Sequence, residues 1–123
     1  MVIVNILVAL SLALPTPRVA HHTVYPPDYK MIIKIGQCEQ PSRDGSGWHH
    51  IAWHQTYNYS FLGGLGMTNL NWTNFKRKGQ PATMDKATPI EQLWAAYRLS
   101  KWVKQNYGKQ WIAWDCYTKG YLK

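Results

Sequence analysis

A single carboxylate, Glu39, stands where an apolar helical face runs out into a loop, and the segments beyond it are rich in Trp, Tyr and Phe. Acid catalysis on a carbohydrate chain requires this pairing of a protonatable carboxyl group with rings that sugars can stack on. Met31, Ile32, Ile35 and Cys38 recur at spacings of three and four, so a helix with one apolar face is expected after Asp28, an N-cap candidate. Glu39 follows Ile35 by four residues and Ile32 by seven, on that same face, and Pro41 stops the helix near Gln40. Partial burial and the negative end of the helix dipole would each disfavour the carboxylate, leaving Glu39 competent as an acid. The alternative is an exposed helix-terminal Glu with no chemical role.

The elements that must position Glu39 follow in order. Pro41 to Gly47 reads as a loop, with Asp44-Gly45 and Ser46-Gly47 as turn signals. From Trp48 to Tyr59 rings alternate with polar groups and no period survives, which predicts short irregular or strand-like structure. Gly63, Gly64 and Gly66 permit a close approach of backbone to a ligand. Thr68 is a cap candidate for a short helix carrying Leu70, Trp72 and Phe75, ended by Lys76-Arg77-Lys78-Gly79 with its cations at the favourable terminus. Gln80 to Lys86 reads as a surface connection. Thr88-Pro89-Ile90-Glu91 combines a capping residue, Pro at the first helical position and the Glu of a capping box. A long helix should run from there to about Asn106, its buried face set by Ile90, Leu93, Trp94 and Tyr97 and widened by Ala95, Ala96 and Leu99, with Gly108 as the stop. The segment Gln110 to Cys116 is apolar enough to dock back on the core.

Composition bounds the rest. A chain of 123 residues predicts one domain. The aromatic set is 7 Trp and 8 Tyr against 2 Phe, so most large rings carry a polar handle and suit a wet cleft. Fourteen Lys and Arg against 6 Asp and Glu leave a formal charge of +8, which favours polyanionic partners: nucleic acid, anionic lipid or an anionic cell wall. Residues 1–20 read as a signal peptide, since Val2 to Leu14 is apolar except for Asn5 and Ser11, ends at Pro15-Thr16-Pro17 and falls short of the roughly 20 residues a membrane span needs. A buried N-terminal strand or helix is the alternative. Residues 21–28 form an extended lead-in, because Pro26 and Pro27 forbid helix. Two cysteines behind a leader suggest a Cys38–Cys116 disulfide in an oxidising compartment. It would close a loop of about 79 residues, for which the chain-entropy model gives about 4.5 kcal/mol. Two free buried thiols are the alternative if the leader is not one. His49, His50 and His54 include an i, i+4 pair, but no acid lies between them, and they are read as surface or stacking residues rather than as metal ligands.

Cys38-Glu39-Gln40, Trp48, Phe61-Leu62-Gly63-Gly64-Leu65-Gly66-Met67, Asn71-Trp72, Glu91-Gln92 and Ala113-Trp114-Asp115-Cys116 occur in an order that resembles the resuscitation-promoting factors of actinobacteria and their transglycosylase-like relatives. The resemblance covers roughly Tyr29 to Cys116. It implies a trimmed lysozyme-like fold, Glu39 as catalytic acid, a Cys38–Cys116 bridge and the glycan of peptidoglycan as substrate. Gly66 stands where that family has Gln, Asn71 stands where it has Thr, and the loop from Gln40 to Gly47 is longer.

The expectation is therefore an α+β, mainly α, lysozyme-like domain over residues 29–118 with one disulfide, secreted or in the cell wall, monomeric and without cofactor or metal. Its expected reaction is cleavage of the β-1,4 bond between N-acetylmuramic acid and N-acetylglucosamine. Trp48, Phe61, Gly63, Gly64, Asn71, Trp72 and Trp114 are the expected substrate-binding set, lining or supporting the sugar subsites. The partners are peptidoglycan strands, with other cell-wall hydrolases as candidates, no nucleic acid and no stable membrane insertion after processing. A hydrolase working by inversion wants a second carboxylate about 6.5 to 9.5 Å from the acid, and Asp44 is the acid in the adjoining loop. With no second carboxylate compelled, attack by the sugar's own 6-hydroxyl is favoured, which is lytic transglycosylation. The alternatives are a muramidase using Asp44, a non-catalytic peptidoglycan-binding module of the same fold, and a basic nucleic-acid or membrane-active protein.

Overall fold

Helix α1, Tyr29–Glu39, begins directly after Pro26-Pro27-Asp28 and buries Ile32, Ile35 and Gly36. The spacing of three between the two Ile side chains puts both on one stripe, and each is fully buried. Their burial stabilises the fold by about 1.5–3 kcal/mol each. Asp28 has φ 61°, and its carboxylate accepts a hydrogen bond from Gln110 at 3.3 Å. The computed structural model describes residues 24–39, 51–56 and 60–122. The expected leader, the whole expected loop from Pro41 to Gly47 with Asp44, and Trp48, His49 and His50 lie outside the described residues.

Helix α2, Asn69–Phe75, is capped as expected, with the Thr68 hydroxyl accepting from the Asn71 amide at 3.1 Å. It ends at Phe75, so Lys76 is its cap residue in extended conformation and the cations lie beyond the last turn rather than in it. Trp72 is the buried residue of this helix. Its indole N–H donates to the Pro81 carbonyl at 2.9 Å, which draws the following connection inward. That connection differs from the expected surface segment: Gln80 and Met84 are buried, and Met84–Lys86 forms a 3-10 turn.

Helix α3, Pro89–Tyr107, has both halves of the capping box at Thr88 and Glu91 and stops at Gly108, whose φ of 82° is the left-handed cap that glycine adopts without strain. Its buried face is rotated from the expected one. Gln92, Leu93, Ala95, Ala96, Leu99, Ser100 and Val103 are buried, whereas Ile90, Trp94 and Tyr97 are half-buried at its edges. The reason is polar. Gln92 finds partners for its whole amide and can sit at the centre, while Trp94 turns its indole N–H outward to the Val24 carbonyl at 2.7 Å.

Helix α4, Asp115–Thr118, is a single turn beginning after buried Trp114. α1 packs on α3 and α4, and α2 packs on α3. The Cys38–Cys116 disulfide joins α1 to α4, as the cysteine count suggested. The domain is thus mainly helical. Among the described residues the β component is one isolated antiparallel bridge, Phe61 to Thr68, which closes the loop between them. No helix among those residues is long and apolar enough to cross a membrane.

Candidate functional site

Glu39 closes α1 one turn beyond Ile35, and three neighbours define its setting. The first is the glycine loop. Gly36, on the same helix, has no side chain where a Cβ would meet Leu65 at 2.7 Å and the Gly64 carbonyl at 3.1 Å, so the 63–66 loop packs onto the last turns of α1. The second is Gly66, in left-handed conformation at φ 67°. A Cβ there would lie 2.9 Å from Glu39 Cβ and 3.1 Å from its Cγ. Backbone alone fits against the carboxylate's stem at this point, so the Gln implied by the resemblance has no room in this arrangement. The third is α4, held to α1 by the disulfide. The Cys116 amide donates to Glu39 Oε1 at 2.8 Å.

Glu39 is half-buried, and its pKa is raised above the ordinary Glu value. Desolvation is the largest cause, opposed by the Cys116 amide, which favours the charged form. The charge of Asp115 raises the pKa further, and Lys119 offsets part of that. Asp115 and Lys119 are exposed and 3.8 Å apart, so each of their fields is screened by water. The net result is a carboxyl group that holds its proton to higher pH than a free Glu, as acid catalysis needs.

Around this carboxylate the expected site residues separate by depth. Phe61 is exposed and available to a ligand face. Gly63 and Gly64 are buried within the loop, Gly63 at φ 81° and bonded through its amide to the Gln55 carbonyl at 3.2 Å. Trp72 and Trp114 are both buried, so of lining and supporting only the second is open to them. The Trp114 indole N–H donates to the Leu65 carbonyl at 2.8 Å, fixing the glycine loop from below. Asn71 faces a hollow of about 290 Å³ with Leu99, Trp102, Val103, Tyr107, Ile112 and Ala113, and Glu39 does not line it. Asp44 and Trp48 lie outside the described residues. His54 pairs through Nδ1 with the Asp85 carbonyl at 2.7 Å. Among the described residues no group of three His, Cys, Asp or Glu side chains is placed to hold a metal.

Gln92, noted in the sequence only as part of the Glu91-Gln92 pair and given no role there, is fully buried at the centre of the molecule. Its Oε1 accepts from the Gly64 amide at 2.9 Å, and its Nε2 faces the carbonyls of Trp53, Met84 and Ala87 at 2.8, 2.9 and 3.1 Å. One neutral amide therefore ties the glycine loop, the 51–56 segment and the 3-10 turn to α3. Gln55 adds a second tie, its side-chain amide donating to the Phe61 carbonyl. A signal for Gln92 was present: Gln92, Ala96, Leu99 and Val103 share one helical stripe at spacings of four, three and four. No family model, curated protein or solved structure matches this chain.

Proposed function

We propose that this protein cleaves the glycan strands of peptidoglycan at the β-1,4 bond after N-acetylmuramic acid, as a secreted lytic transglycosylase with a lysozyme-like domain and Glu39 as its single acid and base. The observation that carries this reading is Glu39 itself, a half-buried carboxyl group whose proton is retained by desolvation and whose Oε1 is oriented by the Cys116 amide. Its position after Cys38, and beside Gly64-Leu65-Gly66, accords with the resemblance to the resuscitation-promoting factors.

The steps balance with one carboxyl group. Glu39 gives its proton to the glycosidic oxygen, and the bond from that oxygen to muramic C1 breaks with its electron pair on the leaving oxygen. An oxocarbenium-like centre forms at C1. The sugar's 6-hydroxyl, already within the same ring, attacks C1 at little entropic cost while ionised Glu39 takes its proton. The product is a 1,6-anhydro end, no water is consumed, and Glu39 is restored as an acid. Phe61 contributes an exposed ring beside the glycine loop, buried Trp114 holds that loop through the Leu65 carbonyl, and buried Trp72 holds the following connection through the Pro81 carbonyl.

The test is digestion of purified peptidoglycan with the mature chain and mass analysis of the soluble fragments. Anhydro ends, each one water lighter than a hydrolysed end, are expected. Reducing muramic ends that disappear on Asp44→Asn would make the enzyme a muramidase with Asp44 as base. A second reading is favoured by one specific feature, the backbone of Gly66 lying against Glu39 where the family has Gln. On that reading the domain binds peptidoglycan without cleaving it, and sedimentation with cell walls occurs without fragment release.

A further inference from the structure

Arg98, half-buried at the edge of α3, is a cation whose forked end is drawn away from water. Its Nε donates to the Phe75 carbonyl at 2.6 Å, which anchors the guanidinium at the C-terminal end of α2. Its Nη1 and Nη2 are buried and have no hydrogen-bond partner. A guanidinium carries five N–H donors and no acceptor, so four donors are withdrawn from water here without compensation. Among the described residues no carboxylate is recorded as a partner of the Arg98 guanidinium. Asp28 meets Gln110, Glu39 meets Cys116, Glu91 belongs to the capping box and Asp115 meets Lys119.

Arg77, two residues beyond the Phe75 carbonyl that holds Arg98, brings a charge of the same sign to bear on it. The Arg98 pKa is lowered to about 10, chiefly by burial and then by the charge of Arg77. Arg77 is held there by structure. Its amide donates to Gln80 Oε1 at 2.7 Å, and Lys76 Nζ donates to the Gln80 carbonyl at 3.1 Å, so buried Gln80 fastens the basic loop beside Arg98. A fold that anchors one arginine, leaves its forked edge unpaired and fastens a second arginine next to it is arranged for an anion between them.

We propose that Arg98 and Arg77 form a binding site for a phosphate-type oxyanion. A carboxylate would neutralise one of the two guanidinium groups. A doubly charged phosphate group, or successive groups of a phosphodiester polymer, neutralises both and offers the acceptor oxygens that the Nη edge lacks. Arg77 is exposed, so it opens to admit the anion and closes over it, while Arg98 stays fixed by the Phe75 carbonyl. The site is independent of the proposed Glu39 chemistry.

The experiment is titration of the intact, disulfide-bonded protein with inorganic phosphate at constant ionic strength, followed through arginine side-chain NMR resonances and by calorimetry. Saturable shifts of the Arg98 and Arg77 signals are expected. Arg77→Ala, a change at an exposed position, should weaken binding about tenfold or more with its circular dichroism unchanged. Lys30→Ala, on the exposed side of α1, controls for net charge and should leave binding as in the wild type. A poly(glycerol phosphate) titrated in parallel distinguishes the sources: tighter binding assigns the site to a wall polymer, and equal binding assigns it to the free anion. Absence of saturation, equal affinity of Arg77→Ala and wild type, or an equal loss in Lys30→Ala would each overturn the proposal.

Discussion

Gln92 and Glu39 are two polar side chains committed to the same glycine loop, and they are treated in opposite ways. Gln92 is fully buried, with its Oε1 on the Gly64 amide and its Nε2 among three carbonyls. Glu39 is half-buried, with the Cys116 amide on Oε1 and the backbone of Gly66 against its stem. A neutral amide can be entombed once its hydrogen bonds are met, whereas a group that must gain and lose a proton needs solvent or substrate on one side. The loop between them is thus clamped at its Gly64 end and kept open at its Gly66 end. Rigidity falls to Gln92 and, on the proposed function, reactivity to Glu39.

The largest expected effect comes from breaking the open end. Glu39→Gln keeps volume and the acceptor for Cys116 but has no transferable proton. Fragment release should fall by about 10²–10⁴-fold, with folding and wall binding retained, as checked by mass analysis of digests beside circular dichroism. Retained activity would move the catalytic group elsewhere.

Breaking the clamped end acts on stability first. Gln92→Leu removes the partner of the Gly64 amide and an Nε2 shared by three carbonyls. A loss of about 3 kcal/mol in urea unfolding is expected, several times that of an exposed substitution. A change within about 0.5 kcal/mol would mean that the loop is held by other contacts.

A smaller, sharper effect is expected from Gly66→Ala. The new methyl meets Glu39 Cβ at 2.9 Å and imposes a left-handed backbone on a residue that disfavours it. The cost is about 1–2 kcal/mol of stability. Because the clash is with Glu39 itself, fragment release should drop beyond what the stability loss explains, which kinetics below the unfolding temperature would resolve.

The smallest effect is a pH dependence. Glu39 binds its proton more tightly in the folded chain than at its ordinary value of 4.5, through desolvation chiefly. The stability this proton contributes is fully present below that ordinary value and is lost as pH rises through the folded one. Glu39→Gln has no such loss. Relative to wild type it should be at least as stable at neutral pH, and the gap should close on acidification, as thermal unfolding across pH would show. A gap that widens on acidification would reverse the assignment of a raised pKa.

Local chemistry was legible in the chain. The capping box at Thr88 and Glu91, the Thr68 cap and the Gly108 stop each depend on residues within a few positions, and each was found where its pattern lies. The face of α1 that carries Ile32, Ile35 and Glu39 was legible for the same reason, since one helix's periodicity needs no partner. The Cys38–Cys116 pair followed from there being two cysteines. The rotation of α3 was not legible, because a buried Gln looks like a solvent-facing one until its four partners, drawn from three other segments, are in place. Gln80 and Met84 were misread as surface for a similar reason: their burial depends on Trp72 reaching the Pro81 carbonyl and on Gln92 reaching that of Met84.

The sequence by itself therefore determined helices α1, α2 and α3, the Thr68 and Thr88 caps, the Gly108 stop, the crosslink and which carboxylate closes the apolar face of α1, all consequences of spacing along one chain. Only the tertiary structure decided what surrounds that carboxylate. Gly36 and Gly66 place backbone against α1, Trp72 and Trp114 turn inward as supports, and the Cys116 amide arrives from a turn at the far end of the chain. The physical reason is that proton affinity depends on burial and on donors within a few ångströms, and those neighbours are gathered by packing, not by sequence distance.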